Sequence, residues 1–422
     1  MNVYIKQGEA YSKPLVYILN VMAKNKGLNL TYTPTKNNAA AVFDHTDKEG
    51  LPVNDAFFNA LLNLQQYNYN SYFKNEPYIH FELYGRDYLA TAFYMLNAFQ
   101  EYSQGPEMQD RFGRYLYSAS YQYKYHCIEQ NIVQLCFDKF CEENSAFQSF
   151  TTAKPTRVFL SHDVDTIHGS FLQDGLWAIK KGRADVVLKL VMNELMRKPG
   201  WTNIDQIVKL HDEHDVESTF FWLATQRVNA ANGVKNADYT AAHIAKLAKL
   251  TQSNGIHKSA AAHTFKEELA MLPFDTKLNR YHFLKFSVPQ VWNTLDEAGI
   301  ALDGSLGFAE HYGFRNSYGQ PFKPYNTETG GTHNFVEVPL NIMDGTLARY
   351  MNVPLNQTAN RIINFIEANK ENCILSLLWH NTHFTHYKYG GYLAEYKKIL
   401  LYMKETGLSS ITPTQIIAEY NG

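Results

Sequence analysis

The sequence predicts an α/β protein built round a mostly parallel sheet, for which a distorted (β/α) barrel is one closed form. Three observations carry this. From about Arg157 onward, short apolar runs alternate with amphipathic helical stretches. Several of those runs end abruptly on an acid or a histidine, where the strand ends of an α/β barrel present their chemistry. The chain has 422 residues, 45% hydrophobic and 19% charged, enough for two globular units and too apolar for disorder.

Residues 1–150 form a smaller N-terminal α/β unit. Val3–Ile5 reads as a strand. Leu15–Lys24, Asp87–Tyr102 and Ile128–Phe140 carry apolar residues at helical spacing, and Gly105-Pro106 breaks the second. No His, Cys and acid cluster at ligand spacing here, so a packing or specificity module is expected. The polar, proline-bearing Thr151–Thr156 is the linker candidate. Beyond it, Val158–Ser161, Ser218–Leu223, Gly255–His257, Val336–Pro339 and Ile374–Trp379 read as strands. Ile204–His214, Tyr239–Ser253, Pro289–Gly299, Leu355–Asn369 and Tyr392–Gly407 read as helices. The barrel unit is 157–422.

Charge narrows the function. A net charge of −2 offers no surplus to neutralise a phosphate backbone, so nucleic acid is not an expected partner. Leu15–Met22 is too short and too flanked by polar groups to span a bilayer. The N-terminus from Met1 lacks the pattern of a secretory signal. Cys127, Cys136, Cys141 and Cys373 lack metal-finger spacing and read as free thiols of a reducing compartment; a cytoplasmic location is expected. The 29 Tyr and 26 Phe suit a core first, and sugar-stacking surfaces second.

Five segments carry chemistry. Val158-Phe159-Leu160-Ser161-His162-Asp163-Val164-Asp165 runs an apolar strand into two carboxylates two apart, costly to desolvate unless they hold a cation or transfer protons. Gly255-Ile256-His257-Lys258 ends a second strand on an imidazole, with His263 following. Arg280-Tyr281-His282 places a guanidinium and an imidazole on one side of an extended segment. Asp303-Gly304-Ser305-Leu306-Gly307-Phe308 is the fourth. Trp379-His380-Asn381 ends the fifth apolar run. Each alone also fits a capped strand end, a core histidine or a surface ion pair; the order and repeated placement point to one site.

This set resembles the polysaccharide deacetylase superfamily (the NodB-homology, or carbohydrate esterase family 4, domain), over roughly residues 157–420. Closest is its bacterial branch with an SHDVD first motif and a preceding module that includes Asp110-Arg111-Phe112-Gly113-Arg114. The resemblance implies a divalent metal cofactor, zinc in the first place, and an acetylated saccharide as substrate. It implies Asp163 as general base, Asp165 and His257 as metal ligands, and Arg280 as the group orienting the base. His380 would be the general acid, and Asp303 the acid that pairs with it. One departure stands out. The family sets its second imidazole four residues after the first, where this chain has Ala261. The nearest histidine is His263, taken here as the third metal ligand, with His162, His168 and His282 as other substitutes. Lys258 brings a cation beside the expected site. Two functions follow: a metal-dependent hydrolase that removes an N- or O-acetyl group, or a barrel with a degenerate metal site that binds glycan or assists assembly. A glycosidase is disfavoured, because Asp163 and Asp165 lie too near in sequence to flank a sugar from two sides.

Overall fold

In the computed structural model, residues 1–63, 87–102, 105–147, 153–196, 201–226, 236–385 and 387–421 are described. The N-terminal segment builds a three-stranded parallel sheet from β1 (Asn2–Ile5), β2 (Thr31–Tyr32) and β3 (Ala41–Phe43), in the order β2-β1-β3. The helix Ser12–Lys26 joins β1 to β2, and Gly27 ends it in the left-handed region that glycine adopts at low cost. The helix Tyr88–Leu96 buries all nine of its residues, and Asp87 caps it by accepting the Ala90 N–H at 2.9 Å. The expected helix to Tyr102 stops early because Ala98 takes a φ of 49°, and a short 3₁₀ turn follows.

From Arg157 the chain lays down β4 (Arg157–Val164), β5 (Ser218–Trp222), β6 (Ser253–Lys258), β7 (Leu278–Tyr281) and β8 (Leu302–Asp303). A small antiparallel pair, β9 (Tyr325–Asn326) and β10 (Gly331–Thr332), precedes β11 (Val336–Glu337), β12 (Leu340–Met343) and β13 (Ile374–Leu378). Eight of these make one all-parallel sheet in the order β11-β8-β7-β6-β5-β4-β13-β12. β11 and β12 are its opposite edges, yet only Val338 and Pro339 separate them in sequence. A flat eight-stranded sheet would hold its edges about 34 Å apart, and three residue steps reach only about 11 Å. The sheet therefore curls into the expected distorted barrel. At the seam, the Leu340 N–H donates to the Leu306 carbonyl at 3.0 Å. A Cβ on Gly307 would stand 2.3 Å from the Leu340 carbonyl oxygen, so only glycine allows this approach.

The strands divide the barrel by height. Phe159, Phe221, Leu302, Val336, Val338 and Ile374 pack together with Ile411 and Ile416 from the C-terminal helix Pro413–Asn421. This apolar plug fills the end where the strands begin and leaves polar side chains for the end where they finish. Outside the sheet, a second apolar cluster runs from Val3 through Met403, so N-terminal residues and the barrel's outer layer share packing. Of the linker candidate, Thr151 and Thr152 lie outside the described residues; Thr156 is buried and donates to the Asn369 carbonyl at 2.6 Å.

All five strands read from the barrel sequence are present. β7, β8 and β12 were not among them: β8 is two residues long, and β12 follows Pro339, which reads as a break. Also beyond that reading is the helical hairpin Ser170–Lys180 and Ala184–Leu195, which exposes Leu172, Leu176, Ile179, Leu188 and Leu195. Trp222, by contrast, is fully buried. Trp222→Ala should destabilise the protein by about 3–5 kcal/mol, whereas Leu172→Ser and Leu195→Ser should each stay within about 0.5 kcal/mol. Urea titration measures both; a large loss from the leucine variants would mean that the outer face of the hairpin is covered in solution.

Candidate functional site

The site grows from the end of β4. Alternation sends Ser161 and Asp163 to the barrel interior, while His162 points outward and packs against His211, Phe220 and Tyr396. Burial lowers the His162 pKa to about 4, so it is a neutral core imidazole. Asp165 follows the strand end and turns back over the same mouth.

β6 and β7 supply the facing groups. Their register sets His257 beside Arg280 and Lys258 beside Tyr281. The His257 Nδ1 lies 3.0 Å from the Arg280 carbonyl, which can only accept. This holds a proton on Nδ1 and turns Nε2 toward Asp165 Oδ1 at 3.4 Å and Asp163 Oδ2 at 3.6 Å; burial opposes charge on the ring, but the two carboxylates outweigh it and raise the His257 pKa. His282 stands two residues beyond Arg280, on the same face, and its Nε2 lies 3.7 Å from Asp165 Oδ1. The rings of His257 and His282 are 4.9 Å apart. Arg280 is fully buried; its Nη2 donates to Ser161 Oγ at 3.0 Å and its Nε lies 3.8 Å from Asp163 Oδ1. Gly304 makes the room: a Cβ there would meet the Arg280 Nη2 at 3.0 Å.

On the other side of β4, β12 and β13 run parallel with Met343 opposite Leu378. The residues just past these ends, Asp344 and His380, are thereby neighbours. Asp344 Oδ1 accepts from His380 Nδ1 at 2.6 Å, Oδ2 accepts the His380 backbone N–H at 2.8 Å, and His383 Nδ1 stands 2.8 Å from Oδ2. His380 Nε2 then faces Asp165 Oδ2 at 3.9 Å.

The structure gathers Asp163, Asp165, His257, Arg280 and His380 at one mouth and leaves two expected residues elsewhere. His263 sits on the turn after β6, its side chain 45% exposed, 3.9 Å from Glu267; the chain leaves the barrel there, and the carbonyl of His263 is taken by Lys258. His282 occupies the third position of the cluster instead. Asp303 does not pair with His380. It lies inside β8, accepting from Asn279 Nδ2 at 2.6 Å and Ser305 Oγ at 2.8 Å, in register with Glu337. Asp344 is the partner of His380. Its signal in the sequence was a short strand-like stretch, Leu340-Asn341-Ile342-Met343, ending on an acid. Lys258 points away from the site, since alternation turns it outward to Glu268 Oε1 at 2.8 Å.

Among the described residues, three groups bring donor atoms within 4.8 Å of one another: Glu9, His45 and Asp55, a partly exposed trio in the N-terminal segment where none was expected, and two at the barrel mouth, first Asp165, His257 and His282, and second Asp344, His380 and His383. They differ in kind. In the second, the Asp344 oxygens already stand at hydrogen-bond distance from imidazole and amide nitrogens, so it is a polar relay. In the first, spacings of 3.4 and 3.7 Å exceed hydrogen-bond length. They approach the ~3.3 Å that separates two ligands, each about 2.0–2.1 Å from one tetrahedral cation. Asp165 Oδ1 and Asp163 Oδ1 are shut from solvent without a hydrogen-bond partner. One carboxylate and two imidazoles form a donor set that suits zinc. The residues present fit a divalent metal.

Electrostatics agree. Burial acts to raise the Asp165 pKa, but His282, His257 and His380 outweigh it and hold the carboxyl well below its usual range. Burial lowers the His282 pKa to about 3, leaving a neutral, ligand-ready imidazole. Burial also opposes charge on His380, yet Asp344 prevails and raises its pKa to about 9. Among the barrel carboxyls, burial lifts Asp303 and Glu337, and the charge of Asp303 pushes Glu337 further.

Comparison with known proteins adds the following. A family model described as a family of unknown function, DUF7033, matches residues 3–145. No curated protein matches the chain. Among solved structures, it is similar to a protein of Bordetella bronchiseptica assigned to O-antigen biosynthesis as a polysaccharide deacetylase (16% identity, 63% of this chain, 84% of that one, TM-score 0.30). It is similar to a protein of Mycobacterium smegmatis assigned as a polysaccharide deacetylase (12%, 65% and 92%, TM-score 0.40). It is also similar to a peptidoglycan N-acetylglucosamine deacetylase in complex with a hydroxamate-type benzamide (15%, 63% and 88%, TM-score 0.30). The fold stands on the strand order and the short β11–β12 connection rather than on these likenesses.

Glu337 gives a test of the interior charge balance. Its Oε1 accepts the Leu306 N–H at 2.9 Å, and its carboxyl abuts Asp303. An acid whose pKa is raised on folding stabilises fully below its unfolded value, and that contribution is lost as pH rises toward the folded value. Glutamine mimics the protonated acid at every pH. Glu337→Gln should therefore match the wild-type melting temperature near pH 4.5 and exceed it increasingly toward pH 8; equal slopes would show that Glu337 is ionised in the fold.

Proposed function

We propose that this chain is a metal-dependent hydrolase that removes an acetyl group from an amide or ester of a saccharide. The observation that carries this reading is the convergence of Asp165, His257 and His282 within 4.8 Å, between Asp163 on one side and His380 on the other. A bound divalent cation, held by those three side chains, would lower the pKa of a water and polarise the acyl oxygen.

The chain's own residues divide the remaining work. Asp163 takes the proton of the attacking water; its Oδ1 is buried and unpartnered, free to accept. Arg280, fully buried with its Nε 3.8 Å away, faces that carboxylate and orients it. His380 carries a proton to the leaving amine or alkoxide, and Asp344 both orients it through Nδ1 and keeps it charged at neutral pH. The His380 N–H donates to the other Asp344 oxygen, and His383 Nδ1 stands 2.8 Å from it. A saccharide is supported by the half-buried and exposed rings near His282: Phe112, Phe283 and Tyr350 offer faces on which a pyranose can stack. The degenerate-barrel alternative rested on Ala261, and His282 supplies the imidazole that Ala261 lacks. No described helix is long and apolar enough to cross a membrane. A cytoplasmic place in making saccharide precursors accompanies the proposal, and recovery of the intact protein from a secreted fraction would count against it.

The test is elemental analysis after zinc loading, with acetate release from N-acetylated amino sugars. Wild type should hold about one equivalent. Asp165→Asn and His282→Ala should lose it, and His263→Ala should not. Asp163→Asn should keep zinc while turnover falls by about 10²–10⁴. Zinc retained in His282→Ala, or equal zinc loss in Asp163→Asn and Asp165→Asn, would reject the assignment.

A further inference from the structure

We infer a second binding site, for a phosphate-bearing organic anion, at the end of the barrel opposite the candidate catalytic mouth. A cavity of about 540 Å³ lies there, within the size range of small-molecule sites. Arg157 opens β4 and Cys373 precedes β13, whereas Asp163 and His380 close the same strands. At about 3.3 Å per residue the two sites are roughly 20 Å apart. One wall is a single face of the helix Ser12–Lys26, with Lys13, Tyr17, Asn20 and Lys24 at spacings of three and four. The other wall is the barrel's floor, with Arg157, Tyr318, Phe322 and Tyr420.

Charge identifies the ligand class. The lining holds Lys13, Lys24, Lys154, Arg157 and Lys323 against one carboxylate, Glu419, in a chain whose net charge is −2. Glu419 is already committed, forked by Arg157 at 2.7 and 2.8 Å. Among the described residues, none of the four lysines forms an ion pair: Lys13 donates to the Thr329 carbonyl at 2.9 Å, and Lys24 lies 3.8 Å from the centre of the Tyr420 ring. Lys24 donates to the Glu419 carbonyl; burial lowers its pKa, Glu419 offsets part of that, and Lys323 and Lys154 add repulsion. Cations gathered in a concave, partly apolar space favour a multiply charged anion, and the half-buried Val16 and Val21 and the exposed Pro155 offer an apolar surface for its organic part. The cavity is walled by both parts of the chain, so an occupant would tie the N-terminal segment to the barrel.

The probe is UDP, titrated calorimetrically into the zinc-loaded full chain, with pyrophosphate and uridine as arms. UDP should bind at one equivalent, pyrophosphate more weakly, and uridine not at all. The double variant Lys24→Glu/Lys323→Glu, and separately Lys154→Glu, should weaken UDP at least tenfold, while Asp165→Asn leaves it unchanged. Pyrophosphate binding as tightly as UDP would reduce the site to a bare anion pocket and overturn the organic ligand. Loss of UDP binding in Asp165→Asn, no UDP binding at millimolar concentration, or no effect of charge reversal would overturn the site.

A separate observation concerns the N-terminal segment, and we infer that Arg114 is a positioning residue for His282; this rests on the metal-site reading above. Phe283 and Leu284, which follow His282, have φ of 60° and 52°. Two consecutive side-chain-bearing residues in the left-handed region are strained and persist only when held. Arg114 Nη1 donates to the Phe283 carbonyl at 3.0 Å and Nη2 to Tyr350 Oη at 3.1 Å. Arg114 is in turn locked by Asp110, which accepts from its Nε at 2.7 Å. The Phe112 ring lies 5.8 Å from that of Phe283. Zinc affinity measured by chelator competition should fall about 10–100-fold in Arg114→Ala with its melting temperature recorded alongside, and recover in part in Arg114→Lys. Unchanged affinity in Arg114→Ala would overturn this inference and leave the metal site standing; no zinc in wild type would instead reject the metal site itself.

Discussion

Everything at the mouth of this barrel depends on a positive charge lying between Asp163, Asp165 and the imidazoles that face them. Because the Arg280 carbonyl fixes the His257 proton on Nδ1, a neutral His257 directs a lone pair at two carboxylates. Such an arrangement is repulsive in a buried site and holds together only around a cation, whether a proton on the imidazole or a metal. The same need explains the unpartnered Asp165 Oδ1 and the close approach of a neutral His282. A proton on His257 would satisfy that one ring; it would leave His282 without a reason to be there. A divalent ion satisfies all three donors together.

The scaffold makes this tolerable by keeping the charges in layers. Below the site, Phe159, Phe221, Leu302 and Ile374 exclude water. At mid-height Asp303 and Glu337 lie near Arg280, whose guanidinium faces Asp163 above and packs over the Phe221 ring at 5.0 Å. Arg280 thus stands between two acidic layers and compensates both, which is why it can be wholly buried with one hydrogen bond. Parallel strands with a period of two deliver this stacking automatically: Phe159, Ser161 and Asp163 are successive inward residues of β4, rising from apolar to polar to charged.

Much of this was legible in the sequence. An apolar run ending on a titratable residue is a strand end of an α/β barrel, and that rule located Asp163, His257 and His380 and the alternation behind the fold. The misreadings have physical causes. Asp303 also follows an apolar pair, but β8 is short and stops lower in the barrel, so the acid falls in the middle layer; pairing it with His380 required knowing strand heights. Asp344 obeys the rule, yet Pro339 reads as a terminator and hides β12. His263 was favoured by nearness in sequence to His257, whereas a cluster is assembled by nearness in register. The pairing of β6 with β7 carries His282 to His257 across 24 intervening positions, and no local pattern reveals that.

Drawing the third member of the candidate metal cluster from the end of β7 rather than from the turn after β6 has a structural consequence. Ligands four apart on one turn move together, and their spacing is set by a few local torsions. His282 instead hangs on a backbone with two left-handed residues immediately after it, braced by Arg114 from a segment more than 160 residues earlier. The N-terminal part of the chain is fastened to the barrel nearby by the buried fork of Arg315 on Glu101, at 2.9 and 2.6 Å. An Arg–carboxylate fork of this kind fixes orientation as well as distance, so the Arg114 brace is referenced to the same rigid frame as the strands. The geometry of the Asp165, His257 and His282 trio is then a property of both parts of the chain, and a barrel cut at residue 157 would retain these side chains without the contacts that hold one of them in place.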